Sequence, residues 1–248
     1  MLKSAHRGWS LVELLVAIAA GLLIVLGTTT FFLSSQASVL DRSRSLQLNG
    51  IMHSSLEFMG REISRAGYWE SAPHFIGSMD RSSPPRPDFG QVNPFGALVL
   101  QHYSAGTQGD CGPAGSGSPI CNCLLFAYDH PGLSADSGDL VLTVAPGEFS
   151  GYRLNLGQVE YKRSGAAFSC TEGEWAALTP SQLQVTQLEF ELDDRPAVAI
   201  PDAQALATVG HVSQRSVTIR YSAALAGAAD ESLTISDRFD IRNDHVSN

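Results

Sequence analysis

The chain has 248 residues, and 16 Lys and Arg against 25 Asp and Glu give a formal net charge of −9 at pH 7. That acidic balance argues against nucleic-acid binding, which uses a basic stripe. The histidines are scattered, and no HExxH, GxSxG elbow, P-loop or GxGxxG is present, so the sequence points to neither an enzyme nor a cofactor.

Residues 1–8 form a short basic leader with Lys3, His6 and Arg7, ending in Gly8. An apolar run follows from Trp9 and fades through Thr28, Thr29 and Thr30 to Leu33. A helix rises about 1.5 Å per residue and needs about 20 apolar residues to cross a hydrocarbon core roughly 30 Å thick, so residues 9–33 are long enough to span a membrane. Lys3 and Arg7 precede the run, whereas Asp41, Arg42 and Arg44 follow it with mixed signs. The positive-inside rule then keeps the N-terminus cytoplasmic and exports the remainder. A cleavable signal peptide is the competing reading, and Leu33 to Ser38 could supply its small-residue site. Glu13 opposes that reading, because a carboxylate in an apolar helix costs roughly 2.5–3.5 kcal/mol on insertion scales and a plain signal or anchor has no use for it.

Gly8, Trp9 and Glu13, set among Leu11, Val12, Leu14, Leu15, Val16 and Ala17, resemble the precursors of type IV pilins and pseudopilins. The resemblance implies that a membrane-embedded aspartyl prepilin peptidase cuts between Gly8 and Trp9 and methylates the new amino terminus. Glycine suits the cut because it lets the peptidase close on bare backbone. The resemblance also gives Glu13 the role of pairing with a free N-terminal ammonium as subunits stack, which sets their register. Trp9 departs from the usual phenylalanine or methionine at the first mature position, which bears on methylation more than on cleavage. Loss of Lys3 and Arg7 with the leader would leave 14 basic against 25 acidic residues, a net charge of −11.

Apolar residues recur at Leu48, Met52, Leu56, Met59 and Ile63, with Ile51 and Phe58 widening the stripe. Asn49, His53, Glu57, Arg61, Glu62 and Arg65 occupy the other side, so residues 34–66 are predicted to continue the helix in amphipathic form, with Gly67 as its stop. Gly50 and Gly60 in this part, like Gly21 and Gly27 before it, allow either local bending or close packing.

Residues 67–248 are predicted to form a β-rich exported head. Residues 70–96, with Pro84-Pro85-Arg86-Pro87, read as irregular. Strands are predicted at Ala97–Tyr103, Cys123–Tyr128 and Asp139–Val144, in a hairpin through Tyr152, Leu154, Val159 and Tyr161, and around Leu188–Leu192, Val217–Tyr221 and Leu233–Ile241. Period-two alternation on this scale predicts an antiparallel sheet with one wet face and the long helix laid against it, a pilin-like α+β fold. Asp193-Asp194-Arg195-Pro196 reads as a turn, and Trp69 and Trp175 as core or groove aromatics.

Cys111, Cys121, Cys123 and Cys170 all lie on the exported side, where disulfides persist. Two residues apart on one strand, Cys121 and Cys123 lie about 7 Å apart and do not suit each other, so Cys111 takes one of them and Cys170 the other. A four-thiolate zinc site is the sharper alternative, although the spacing lacks C-x2-C knuckles. Asp129, Asp136 and Asp139 bracket a glycine loop but do not match an EF-hand, and a solvated turn is favoured over calcium.

The Gly67-Tyr68-Trp69 exit, the Cys-rich loop, the Gly151-Tyr152-Arg153-Leu154 and Val159-Glu160-Tyr161 hairpin, the Trp175 to Leu178 segment and the closing Arg238-Phe239-Asp240-Ile241-Arg242-Asn243 resemble the PilW type of minor pilin. The J-type minor pseudopilins of type II secretion share that layout. The resemblance implies a non-enzymatic subunit, anchored once in the inner membrane with a periplasmic head and then placed at the pilus tip. It also implies prepilin peptidase, other minor pilins, the major pilin and a tip adhesin as partners, and roles in pilus assembly, adhesion and twitching motility. A membrane-anchored periplasmic enzyme or binding module is the alternative from another class.

Overall fold

The computed structural model describes residues 10–68, 93, 95–112, 117–129, 144, 147–195, 198–201, 208–242 and 245–247. Among them one helix, α1, runs Leu11–Ile63 over 53 residues. The chain divides into two units, Met1–Gln47 and Leu48–Asn248.

The described residues of the first unit are helix almost throughout. Its apolar stretch, Leu11–Gln36, has a mean hydropathy of 2.5 and none of it is buried within the protein. The hydroxyls of Thr28, Thr29, Thr30 and Ser34 return to carbonyls three or four residues earlier, at distances such as 2.7 Å for Thr29 Oγ1 to the Val25 oxygen. These polar groups are satisfied inside the helix, which suits a surrounding that offers them no water.

In the second unit the helix buries Leu48, Met52, Leu56, Met59 and Ile63, each at most 4% exposed. The spacing of four, four, three and four is the stripe expected of an amphipathic helix. α1 stops after Ile63 in a turn closed by Ala66 N–H on the Ile63 carbonyl, 2.9 Å away. Gly67 then takes a left-handed φ of 77°, and its N–H donates at 2.9 Å to the carbonyl of Ala127. The helix end is therefore stitched to the head by its glycine.

The strands of the head are β1 Leu98–Ser104, β2 Thr107–Gly109, β3 Cys123–Ala127, β4 Phe149–Asn155, β5 Gln158–Ser164, β6 Glu174–Ala177, β7 Leu183–Asp194, β8 Val198–Pro201, β9 Thr208–Ser213, β10 Arg215–Leu225, β11 Ala228–Asp240 and β12 His245–Ser247. They form three sheets rather than the single one the alternation predicts, in the orders β2-β1-β3-β4-β5-β6, β11-β10-β7 and β12-β9-β8. Every pairing between these strands is antiparallel. The first two sheets meet where Val185 N–H and Phe190 N–H of β7 donate at 2.8 Å to the carbonyls of Gly157 and Cys121.

β4 and β5 turn through Leu156 and Gly157, with φ of 48° and 77°, the paired left-handed geometry of a tight hairpin. β7 carries a bulge where its register against β10 shifts between Ser222 and Ala223. That extra residue changes the phase, so Leu183 and Val185 before it and Leu188 and Phe190 after it are all buried.

The main core gathers Met52, Leu56, Met59 and Ile63 of α1 with Leu124, Phe126, Tyr152, Val159, Leu188, Phe190, Val217, Ile219 and Tyr221. β3 is buried along its whole length. Leu124 and Phe126 face this core, while Cys123 and Leu125 face a second cluster with Tyr103 and Cys170. The expected wet face is therefore covered at β3, because both sides of that strand are packed.

Gly60 lets the helix approach closely, since an added Cβ would lie 2.0 Å from the Phe239 ring. No such neighbour surrounds Gly21, Gly27 or Gly50.

Candidate functional site: an apolar helix surface with one carboxylate

Gly8 and Trp9 lie outside the described residues. The helix begins directly after Ser10, whose carbonyl accepts the Leu14 N–H at 3.2 Å. Glu13 sits in the first turn. It is the single charged residue between Leu11 and Gln36.

Around it the large side chains from Leu11 to Leu33, among them Leu14, Leu15, Ile18, Leu22, Leu23 and Ile24, are 52–75% exposed. They point in every direction around the axis, whereas a helix docked on its own head would show one stripe. Each gains about 1.5–3 kcal/mol on full removal from water. A helix of this kind belongs in a membrane or among other apolar helices.

The helix N-terminus favours the Glu13 charge by about 0.3–1 kcal/mol. That is short of the roughly 2.5–3.5 kcal/mol that a carboxylate costs in a bilayer. A partner cation or a bound proton would close the difference.

In the head, Cys111 bonds to Cys121 and Cys123 to Cys170, with Cα separations of 5.1 and 6.4 Å. With all four sulfurs in disulfides, no thiolates remain for the zinc alternative. Of the aspartates weighed for calcium, Asp136 and Asp139 lie outside the described residues. Asp129 is buried, with its N–H donating at 2.9 Å to the Tyr68 carbonyl. Among the described residues no three His, Cys, Asp or Glu side chains come together as a metal site.

Around Cys170 the structure builds a cationic stack that the sequence patterns above do not name. The Arg153 guanidinium lies 4.3 Å from the Tyr103 ring and 4.2 Å from the Trp175 ring. Its Nε donates to Glu160 at 2.7 Å and its Nη1 to the Cys170 carbonyl. Lys162 Nζ donates to the Ala167 and Ser169 carbonyls at 3.0 and 2.8 Å, and burial pushes its ammonium below the usual lysine range. Arg153 Nη1 and Lys162 Nζ both hold backbone carbonyls between Ala167 and Cys170, so the stack braces the disulfide loop. The register Arg153 to Glu160 across the β4–β5 hairpin was the readable clue, because a two-residue Leu156-Gly157 turn fixes it. Trp175 is half-buried here, in keeping with a groove aromatic, whereas Trp69 lies outside the described residues.

Glu62 also departs from its place in the pattern. It is half-buried and accepts a 2.8 Å hydrogen bond from the Tyr128 hydroxyl, while Asp193 and Asp194 end β7 rather than forming a turn.

Residues 41–241 match the protein family described as prepilin peptidase-dependent protein B. No curated protein and no solved structure matches the chain.

Proposed function

The chain belongs to the prepilin peptidase-dependent protein B family of pilin-like structural proteins, and on that premise we propose that it is a PilW-like minor pilin that primes assembly of a type IV pilus. The observation that carries this is the exposed, all-round apolar helix of Leu11–Gln36 with Glu13 in its first turn. Such a surface is stable in the inner membrane before assembly and among neighbouring subunit helices after it.

In this reading prepilin peptidase cuts between Gly8 and Trp9 and methylates Trp9. Glu13 then pairs with an N-terminal ammonium of a neighbouring subunit. That supplies the partner cation where the dielectric is low, and it selects one axial register. Residues 1–8 are leader, 9–33 the membrane and filament-core helix, 34–66 its amphipathic continuation and 67–248 the periplasmic head. The head would meet other minor pilins, the major pilin or a tip adhesin at the pilus tip.

Two experiments in the host test this. Glu13→Ala should be processed normally yet fail to enter filaments. Activity of the protein unchanged by that substitution would favour an anchored enzyme or binding module. Deletion of the gene should abolish twitching. Loss of exoprotein secretion with twitching intact would instead assign the chain to a type II secretion pseudopilus as a J-type subunit.

A further inference from the structure

At one end of the β11-β10-β7 sheet is a cavity of about 340 Å³ lined by Arg195, Arg215, Arg238 and Arg242, with Ser216 and a single lining carboxylate, Asp240. A chain with net charge −9 and 16 basic residues has placed four of them around one hollow.

The backbone beneath is fixed. Arg195 N–H donates to the Gln214 carbonyl and Ile241 N–H to the Arg215 carbonyl, both at 3.0 Å. Arg215 is the decisive residue. It is 7% exposed and its Nη1 donates at 2.6 Å to the Gly96 carbonyl. Its Nε and Nη2 are buried with no hydrogen-bond partner among the described residues, and neither has the Oγ of Ser216, which is 1% exposed. A buried guanidinium with two idle donors is costly unless an acceptor arrives.

Arg238 is held by Asp193 at 2.7 Å and lies 3.9 Å from Asp240. Those two carboxylates both pair with Arg238, and Asp194 acts on the charge of Arg215 without bonding to its idle donors. The remaining planar forks match the oxygens of a carboxylate or phosphate, which they grip in pairs. The hollow is at the small end of ligand-site volumes, so it suits a compact molecule rather than a peptide.

We propose that this cavity is a binding site for a small ligand bearing an oxyanion, either a carboxylate or a phosphate. The site lies wholly in the head and does not depend on the pilus assignment.

The test is calorimetric titration of the full chain in non-ionic detergent micelles with inorganic phosphate and, separately, with acetate, at ionic strength held constant with chloride. Saturable binding of either anion is expected. Arg195→Gln and Arg242→Gln should each weaken it about fivefold or more, as loss of a charge-assisted bond does. Arg215→Met should abolish it, and the two exposed-arginine variants carry the test if Arg215→Met does not fold. Arg42→Gln, remote in sequence from the cavity residues, should leave binding unchanged. Saturation by phosphate alone identifies a phosphate-bearing ligand, and by acetate alone a carboxylate-bearing one. No saturable heat with either anion, or binding unaltered by Arg195→Gln and Arg242→Gln, would overturn the proposal.

Discussion

The hydroxyl of Tyr128, one residue beyond β3, donates a 2.8 Å hydrogen bond to the carboxylate of Glu62 in the last turn of α1. Arg65 completes the arrangement, its guanidinium 4.4 Å from the Tyr128 ring and 3.4 Å from Glu62 Oε1. The Glu62 side chain keeps 26% of its surface in solvent, which discounts the charge-assisted value. Tyr128→Phe and Glu62→Gln should therefore show a coupling of about 1 kcal/mol in a double-mutant cycle. Strictly additive losses would mean that this bond does not hold the helix to the sheet.

The same tyrosine makes stability depend on alkaline pH. Burial, and then Glu62, raises the Tyr128 phenol above its usual range. Burial likewise raises Tyr152, and it pushes Tyr221 up to about 12. A phenol whose folded pKa lies above its unfolded value binds its proton more tightly in the native state. Its contribution is whole below the unfolded pKa of about 10 and is lost as pH rises through the folded pKa. Urea midpoints should hold to about pH 9 and fall steeply above about pH 10, with a shallower fall in Tyr152→Phe. A midpoint that stays level to about pH 11 would contradict this assignment.

Two helix glycines should respond with opposite sign. At Gly60 a methyl group would strike the Phe239 ring, so Gly60→Ala should lose about 1–2 kcal/mol despite better helix propensity, and Phe239→Ala should relieve the loss. Open space surrounds Gly50, so Gly50→Ala should gain about 0.5–1 kcal/mol. Thermal unfolding of the two variants side by side decides the matter.

The disulfides should differ in weight. Cys123 and Cys170 are 47 residues apart, and Cys111 and Cys121 are 10 apart. Loop-closure entropy then assigns about 4 kcal/mol to the longer link and about 2.5–3 to the shorter. Cys123 and Cys170 are also fully buried, so removing them disturbs packing as well. Paired alanine substitutions should rank in that order, and the reverse order would show that the shorter clasp carries the loop.

Much of this fold can be read from local pattern. The Leu48 to Ile63 stripe, the Gly67 stop and the alternation in β4, β5, β10 and β11 each follow from the period of one element, and the structure has them there. Partner choice between strands is a tertiary matter, so three sheets could not be told from one. The predicted strand at Asp139–Val144 falls almost wholly outside the described residues, and β2 and β6 are too short to show a period. Cys-Leu-Leu-Phe-Ala in β3 shows no alternation because both its faces are packed, a state that period cannot separate from a buried helix. The bond of Glu62 is hidden from the sequence because a helical pattern gives direction but not depth, and Tyr128 reaches it from 66 residues away. Of the candidate site, Glu13 was legible as a charge without a partner in its own helix. The Arg215 cavity was not, because its four arginines come from three separate strand ends.

Whether the chain is processed as a pilin is read from intact mass and N-terminal sequencing of the protein from host membranes, with and without prepilin peptidase. The expected result is a chain beginning at Trp9, carrying one methyl group, only when the peptidase is present. A chain that still begins at Met1 with the peptidase present, or one cut near Ser38, would contradict it.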